Sequence, residues 1–170
     1  SAVSGGTIRV GLDIEVSSVD PIGSDIGQQS SLVLANAIYE PLLMDGPRGE
    51  LVPVLAESLE SDDLIDWTLI LRPDLTFSDG TALDAAAVIA HIERAQNSES
   101  AVAQGAQEII EIAEVDETTV EMTLAEANAT FPRYFARNLG MIGSTTATDP
   151  EGSPLGAGPY RLVSLSAGSS

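Results

Sequence analysis

The clearest periodicity in the chain lies in residues 67–95. Trp67, Leu69 and Leu71 alternate with Thr68, Ile70 and Arg72, a period of two that predicts a strand with one well-buried face. Pro73 closes that strand, because proline has no amide hydrogen and biases the residue before it away from helix. Asp79-Gly80 signals a tight turn, and Asp84 then stands at an N-cap position, its carboxylate placed to accept amide hydrogens from a first helical turn. Val88, Ile89, Ile92 and Ala95 recur at helical spacing and predict an amphipathic helix. Trp67, Leu69, Leu71, Phe77, Val88 and Ile92 are therefore expected in the core.

The rest of the chain patterns less sharply. Ile8, Val10 and Leu12 alternate and predict a first strand over 7–12, followed by a polar loop that Asp20-Pro21 closes. A helix is predicted over 28–39, ending before Pro41, then a short strand over 42–44 and a turn over 45–49. Pro53 makes 51–58 read as a loop with a helical turn after it, and 61–66 is an acidic turn. Ile110 and Ile112 on one arm, with Val120, Met122 and Leu124 on the other, predict a β-hairpin turning at 115–118. Asn128 as a cap and Pro132 near the start predict a helix over 131–139. Phe131, Tyr134 and Phe135 share a helical spacing that suits core packing better than a binding patch. Residues 156–163 read as a glycine-rich turn entering a last strand.

Composition narrows the chemistry. A chain of 170 residues buries one sizeable core, or one and part of a second. No apolar run approaches the ~20 residues that a membrane-spanning helix needs. There is no cysteine, which removes disulfides, thiolate metal sites and thiol nucleophiles. The formal charge is −19, with 26 acids against 7 bases, all of them arginine. Nucleic acid and anionic membrane surfaces both need clustered cations, so neither is an expected partner. The opening residues 1–6 lack the charged start and apolar centre of a signal peptide.

Catalytic constellations are weak. The one histidine, His91, sits on the predicted helix beside its best apolar face and reads as a partly exposed structural residue. His91-Ile-Glu-Arg94 lacks the second histidine of a zincin helix. A Walker loop is impossible without lysine, and no Gly-x-Ser-x-Gly elbow occurs. Gly156-Ala-Gly158 precedes Pro159 where a dinucleotide fingerprint needs a third glycine opening a helix. Acid pairs such as Asp62-Asp63 and Asp13/Glu15 are expected by chance among so many acids, and residues 45–50 do not match a calcium-binding EF-hand loop. The expectation is a protein that is not an enzyme and carries no cofactor or metal.

Several segments, in order, resemble the family 5 extracellular solute-binding proteins of bacterial ABC importers, the oligopeptide-, dipeptide- and nickel-binding group. Gly6-Thr-Ile-Arg-Val-Gly-Leu-Asp13 is similar to the family's opening strand, and 15–21 to its Glu-Pro-x-x-Leu-Asp-Pro loop, with Val16 in place of the loop proline. Ile38-Tyr-Glu-Pro-Leu42 resembles Val-Tyr-Glu-Pro-Leu, and 49–58 resembles Gly-x-x-x-Pro-x-Leu-Ala-x-Ser. The 67–88 stretch is similar to Trp-Thr-Phe-x-Leu-Arg-x-x-Val-x-Phe-x-Asp-Gly-x-Pro-Leu-x-Ala-x-Asp-Val. Gly156-Ala-Gly-Pro-Tyr160 resembles Gly-Thr-Gly-Pro-Tyr.

The resemblance implies a mixed α/β (α+β) chain forming the N-terminal part of a periplasmic-binding-protein-like fold of type II, cluster C. That fold has two lobes, of which the second would follow Ser170. Residues 1–43 and 156–170 would belong to the ligand-facing subdomain of the first lobe, and 44–155 to an accessory α/β subdomain. By loop position, Glu15, Val16, Ser17, Ser18, Ser24, Asp25, Asn97 and Ser98 become candidate ligand contacts. The implied partners are a small solute or peptide, held by the full-length protein, and an ABC importer permease, with no membrane insertion by this chain. The implied location is outside the cytoplasm, in the periplasm or on a cell-surface lipoprotein, and peptides are the leading cargo. Two other readings compete: a free-standing, non-catalytic interaction or scaffold domain, and an acid-rich hydrolase, which requires two carboxylates converging in a cleft.

Overall fold

The computed structural model describes residues 16, 18–23, 29–100, 104–148 and 152–164. The strand expected over 7–12 and the candidate contacts Glu15, Ser17, Ser24 and Asp25 lie outside these. Helix α1 spans Gln29–Ile38. A two-stranded ribbon follows, β1 (Leu43–Asp45) against β2 (Leu51–Pro53). Strands β3 (Ala56–Glu60) and β4 (Asp66–Leu71), helix α2 (Ala85–Gln96), the single helical turn α3 (Gln104–Gln107), and strands β5 (Ile109–Asp116) and β6 (Thr119–Leu124) come next.

The last four strands form one antiparallel sheet in the order β3-β4-β6-β5. Because β6 pairs antiparallel with both β4 and β5, those two run parallel with β6 between them, and α2 is the crossover of a split β-α-β unit. Register aligns the apolar faces: Trp67 lies opposite Met122, and Leu69 opposite Val120. All four are buried, as are Leu71, Phe77 and Leu124. Helix α2 closes this face with Ala85, Val88, His91, Ile92 and Ala95. Its start is capped as the pattern requires, the Ala87 amide donating to Asp84 Oδ1 at 2.9 Å. Gly80 adopts φ +88°, the left-handed turn conformation that favours glycine.

Trp67 anchors one end of the core. Its indole nitrogen donates to the Leu64 carbonyl at 3.2 Å, and its ring lies 5.6 Å from that of Phe131. Phe131 meets Phe135 edge-to-face at 5.3 Å, both fully buried. A second, smaller apolar cluster gathers Val16, Val19, Ala35, Ile38, Tyr39 and Met141, with Leu162 packed against it.

Five local expectations need correction. Residues 51–58 are not a loop with a helical turn: Pro53 ends a short strand, where its missing amide leaves no ladder bond unmade, and β3 follows as an edge strand. Ile110 is not on the inner face of the hairpin. A bulge between Ile109 and Glu111 shifts the alternation, so Ile109 is 4% exposed and Ile110 62%. The segment 131–139 forms two 3-10 helices, Phe131–Ala136 and Asn138–Gly140, rather than one α-helix. Asn128 does not cap it; its side chain accepts the amide and hydroxyl of Thr130 in a preceding Asx turn. Residues 156–163 form no strand, and the amides of Gly158 and Tyr160 bond instead to the Ile38 and Ala37 carbonyls at the end of α1. There is no room for a Cβ at Gly158, which would stand 2.5 Å from Ile38 backbone atoms. The fifth correction concerns His91, which is fully buried.

Three substitutions test this packing by urea unfolding. Trp67→Ala is expected to cost about 3–5 kcal/mol, as large aromatic truncations in cores do. Ile109→Ala is expected to cost about 2–4 kcal/mol and Ile110→Ala under about 0.5 kcal/mol. Equal losses at 109 and 110 would contradict the bulge.

Candidate functional site

The site is built where an N-terminal loop meets the last turn of α2. Val19 is fully buried in the small cluster and Ile22, at 4% exposure, in the main one, so the loop is pinned to both. Between them the Asp20 amide donates to Ser18 Oγ at 3.1 Å, and the amides of Ile22 and Gly23 donate to Asp20 Oδ1 and its carbonyl. These bonds curl residues 18–23 into a turn that leaves the Asp20 carboxylate facing α2.

Arg94 meets it there. Its Nη1 lies 2.8 Å from Asp20 Oδ2 and its Nη2 2.9 Å from Oδ1, a two-pronged ion pair across 74 residues of sequence. Planar guanidinium matches carboxylate in this geometry as ammonium would not. Burial alone would raise the Asp20 carboxyl, but the Arg94 hydrogen bonds, the Ile22 amide and the Arg94 charge hold it below its ordinary value.

One turn earlier, His91 performs a related task. Gly143 donates its amide to Nδ1 at 3.1 Å, which leaves the proton of the neutral ring on Nε2. Burial pushes His91 down to about 3, the Arg94 charge adding to the fall while Asp20 and the backbone of Gly143 and Leu139 oppose it. α2 thus grips residue 143 through His91 and the 18–23 turn through Arg94.

At its C-terminus α2 ends in Asn97, whose backbone and side-chain amides both donate to the Glu93 carbonyl. Ser98 donates its amide to Ala95 and accepts that of Ser100 on Oγ. Gln96 fixes the following chain by donating to the Ala106 and Ile109 carbonyls. Asp20, Ile22, Gly23, Arg94, Asn97 and Ser98, with Glu99 and Ser100, line an open depression of about 840 Å³.

Of the candidate contacts, Asn97 and Ser98 line this depression and Ser18 braces it through Asp20. Val16 is 6% exposed and packs in the small cluster. Asp20 and Arg94 were not among the candidates. Asp20 looked like the polar half of a loop-closing Asp-Pro, and nothing local reveals a partner 74 positions away. The available signal was an arginine flanking Ile92 and Ala95 on the helix in a chain with only 7 bases.

A second depression, of about 440 Å³, is ringed by Glu60, Asp62, Asp63 and Asp66. It is a turn rather than a hydrolytic pair: the Asp66 and Ile65 amides hold the Asp63 carboxyl below its ordinary value, whereas a general acid needs it raised. Among the described residues no group of three His, Cys, Asp or Glu side chains is placed to hold a metal ion. The Asp45 carboxylate is engaged by Arg133 at 3.0 Å and Arg137 at 2.8 Å.

The buried imidazole makes stability depend on pH with a definite sign. An unfolded histidine titrates near 6.5 and the folded one near 3, so the unfolded chain takes up a proton that the folded chain refuses. The stability that neutral His91 confers is complete above about pH 6.5 and is lost as the pH falls, at up to about 1.4 kcal/mol per unit. His91→Gln, which keeps an acceptor for the Gly143 amide, should therefore show a shallower fall in urea-derived stability between about pH 7 and 4. Parallel pH curves for the two chains would refute the assignment.

Comparison with known proteins agrees with this architecture. The glutathione-binding protein GsiB of Pectobacterium atrosepticum is 32% identical over 154 residues, covering 86% of this chain and 30% of that protein. The crystal structure of a nickel ABC transporter from Bacillus halodurans superimposes with TM-score 0.77 at 32% identity, covering 91% of this chain and 32% of that one. The PBP AgaA from A. tumefaciens R10, in complex with agropinic acid, gives TM-score 0.78 at 29% identity, over 89% of this chain and 32% of that one. The chain thus spans about a third of the length of these proteins. The sequence model described as "Bacterial extracellular solute-binding proteins, family 5 Middle" matches residues 50–170. The chain belongs to the family 5 bacterial extracellular solute-binding proteins, a family of binders rather than enzymes.

Proposed function

We propose that the protein captures a small solute outside the cytoplasm and delivers it to the permease of an ABC importer, and that the solute is a peptide. Family membership carries the first part. A glutathione-binding relative supports the peptide reading, glutathione being itself a modified tripeptide. Among the described residues no helix is long and apolar enough to cross a membrane, which suits a protein that works beside a permease rather than within it.

In this reading 1–43 and 156–170 form the ligand-facing subdomain and 44–155 the accessory one. The smaller cluster of Val16, Val19, Ala35, Ile38 and Tyr39, joined by Leu162 from near the far end of the chain, favours that division, while Met141 in the same cluster and Ile22 and Leu42 in the main one bind the two parts together. The solute-facing surface is the depression between the 18–23 turn and the end of α2, with Asn97 and Ser98 nearest the ligand and Ser18 behind Asp20. Glu15, Val16, Ser17, Ser24 and Asp25 belong to the same loop in sequence.

A clamp holds its ligand between lobes, excluding water and making contacts on both sides. Isothermal titration tests the reading. The complete gene product should give a micromolar-range heat with at least one of glutathione, a tripeptide panel or a nickel–histidine chelate. The 170-residue chain alone should bind the same solute about 100-fold more weakly or not measurably. No heat from the complete product with any of these would overturn the proposal.

A further inference from the structure

Among the described residues the charged groups of the depression are one ion pair, Asp20–Arg94, and one further carboxylate, Glu99. Among the described residues Arg94 is the one arginine that lines it. The others are engaged elsewhere: Arg133 and Arg137 with Asp45, Arg48 beside Glu50, Arg72 on the Val54 carbonyl and Arg161 on the Ser78 carbonyl. Arg94 itself gives both terminal nitrogens to Asp20, and its Nε is buried. Its guanidinium therefore faces the depression already neutralised. Among the described lining residues there remain the Glu99 carboxylate, the Ser100 hydroxyl, and the spare hydrogen-bonding capacity of Ser98 and Asn97, each of which already makes one side-chain bond within the helix end. The whole chain, at −19, adds a negative background.

Resting on the solute-capture reading, we infer that this half of the site selects against anionic ligand groups and takes a cationic or neutral hydrogen-bonding portion of a peptide, with the Asp20–Arg94 pair as the specificity-determining element. Among the described residues a ligand carboxylate entering the depression would find no unengaged cation, and drawing Arg94 toward it would strip Asp20 of its partner. A ligand ammonium meets the Glu99 carboxylate beside an ion pair both of whose members are partly exposed, Asp20 at 25% and Arg94 at 31%. Releasing either member of the pair would change the preference in opposite directions. Asp20→Asn keeps an oxygen for the Ile22 amide, so the turn persists while the Arg94 charge is freed. Arg94→Gln leaves the Asp20 charge unopposed.

Titration of the complete gene product with three tripeptides that differ only in the central residue (lysine, glutamine or glutamate, between alanines) reads the preference directly. The lysine or glutamine peptide should bind about three- to tenfold more tightly than the glutamate peptide. Asp20→Asn should narrow or reverse that ratio and Arg94→Gln should widen it. Asp62→Asn, the same charge change at an exposed residue of the other depression, should leave it unmoved. A tighter glutamate peptide, or a ratio indifferent to both substitutions, would overturn this inference while leaving solute capture intact. The same shift from Asp62→Asn would also overturn it, by assigning the preference to net charge. No binding by any of the three peptides would overturn it together with the peptide reading.

Discussion

Helix α2 is the element on which the remaining structure depends. A 12-residue helix has little stability of its own in water, so its persistence comes from the face it buries. That face is apolar at Ala85, Val88, Ile92 and Ala95, and it covers a sheet that would otherwise leave Leu69, Val120 and Met122 open to solvent. One position in the same row is His91. An apolar residue there would pack the sheet equally well but would leave the Gly143 amide, drawn into a buried place, without an acceptor. The histidine is thus a core residue that also ties down a distant strand of chain. Three residues on, where the helix face turns toward solvent, Arg94 does the same for the 18–23 turn with a charge that burial would not tolerate at position 91.

The scarcity of cations explains why these ties are so specific. With 26 acids and 7 arginines, random surface pairing would leave most carboxylates solvated and every arginine with a choice of partners. Apart from Arg48, which pairs with nearby Glu50, the described arginines instead join segments well apart in sequence: Arg72 to Val54, Arg94 to Asp20, Arg133 and Arg137 to Asp45, Arg161 to the turn at Ser78. An exposed pair contributes at most about 1 kcal/mol to stability. Its greater effect here is on register, because a two-pronged guanidinium contact fixes orientation as well as distance. The acidic remainder carries no such constraint, and the ring of acids at 60–66 is held by backbone amides rather than by cations.

What could be read from the sequence follows from how local each signal was. The strand at 67–71, the turn at Gly80 and the Asp84 cap were legible because each depends on neighbours within four residues. The mixed fold and the family were legible from motifs whose physical reasons the structure supplies. In Gly156-Ala-Gly-Pro-Tyr160, for instance, the glycines let the backbone lie against Ile38. Misreadings arose where a single non-local event overrides a local pattern. One bulge exchanges Ile109 for Ile110, and the extended backbone of Arg137 divides the helix expected over 131–139 into two 3-10 helices. His91 seemed to flank the apolar face because periodicity weighs residues by hydropathy, whereas its burial is decided by an amide 52 positions away. The ion pair at the site was invisible for the same reason.

This arrangement bears on what one lobe can contribute to a clamp. Binding is opposed by the cost of ordering loops at the interface, on the order of 1 kcal/mol for each flexible side chain immobilised. Here that ordering precedes the ligand. Val19 and Ile22 are already buried, Asp20 is already bonded, and Asn97 and Ser98 are already folded into the end of α2. A surface prepared in this way adds few contacts by itself, since an open depression leaves one side of any ligand in water. Its value appears when a second surface closes over it, because the ordering of this surface no longer offsets the interaction energy of that closure. Under the solute-capture proposal, a stiff first half and a separate enclosing half would divide the work along a physical line: the first would set orientation and charge preference, and the second would supply burial.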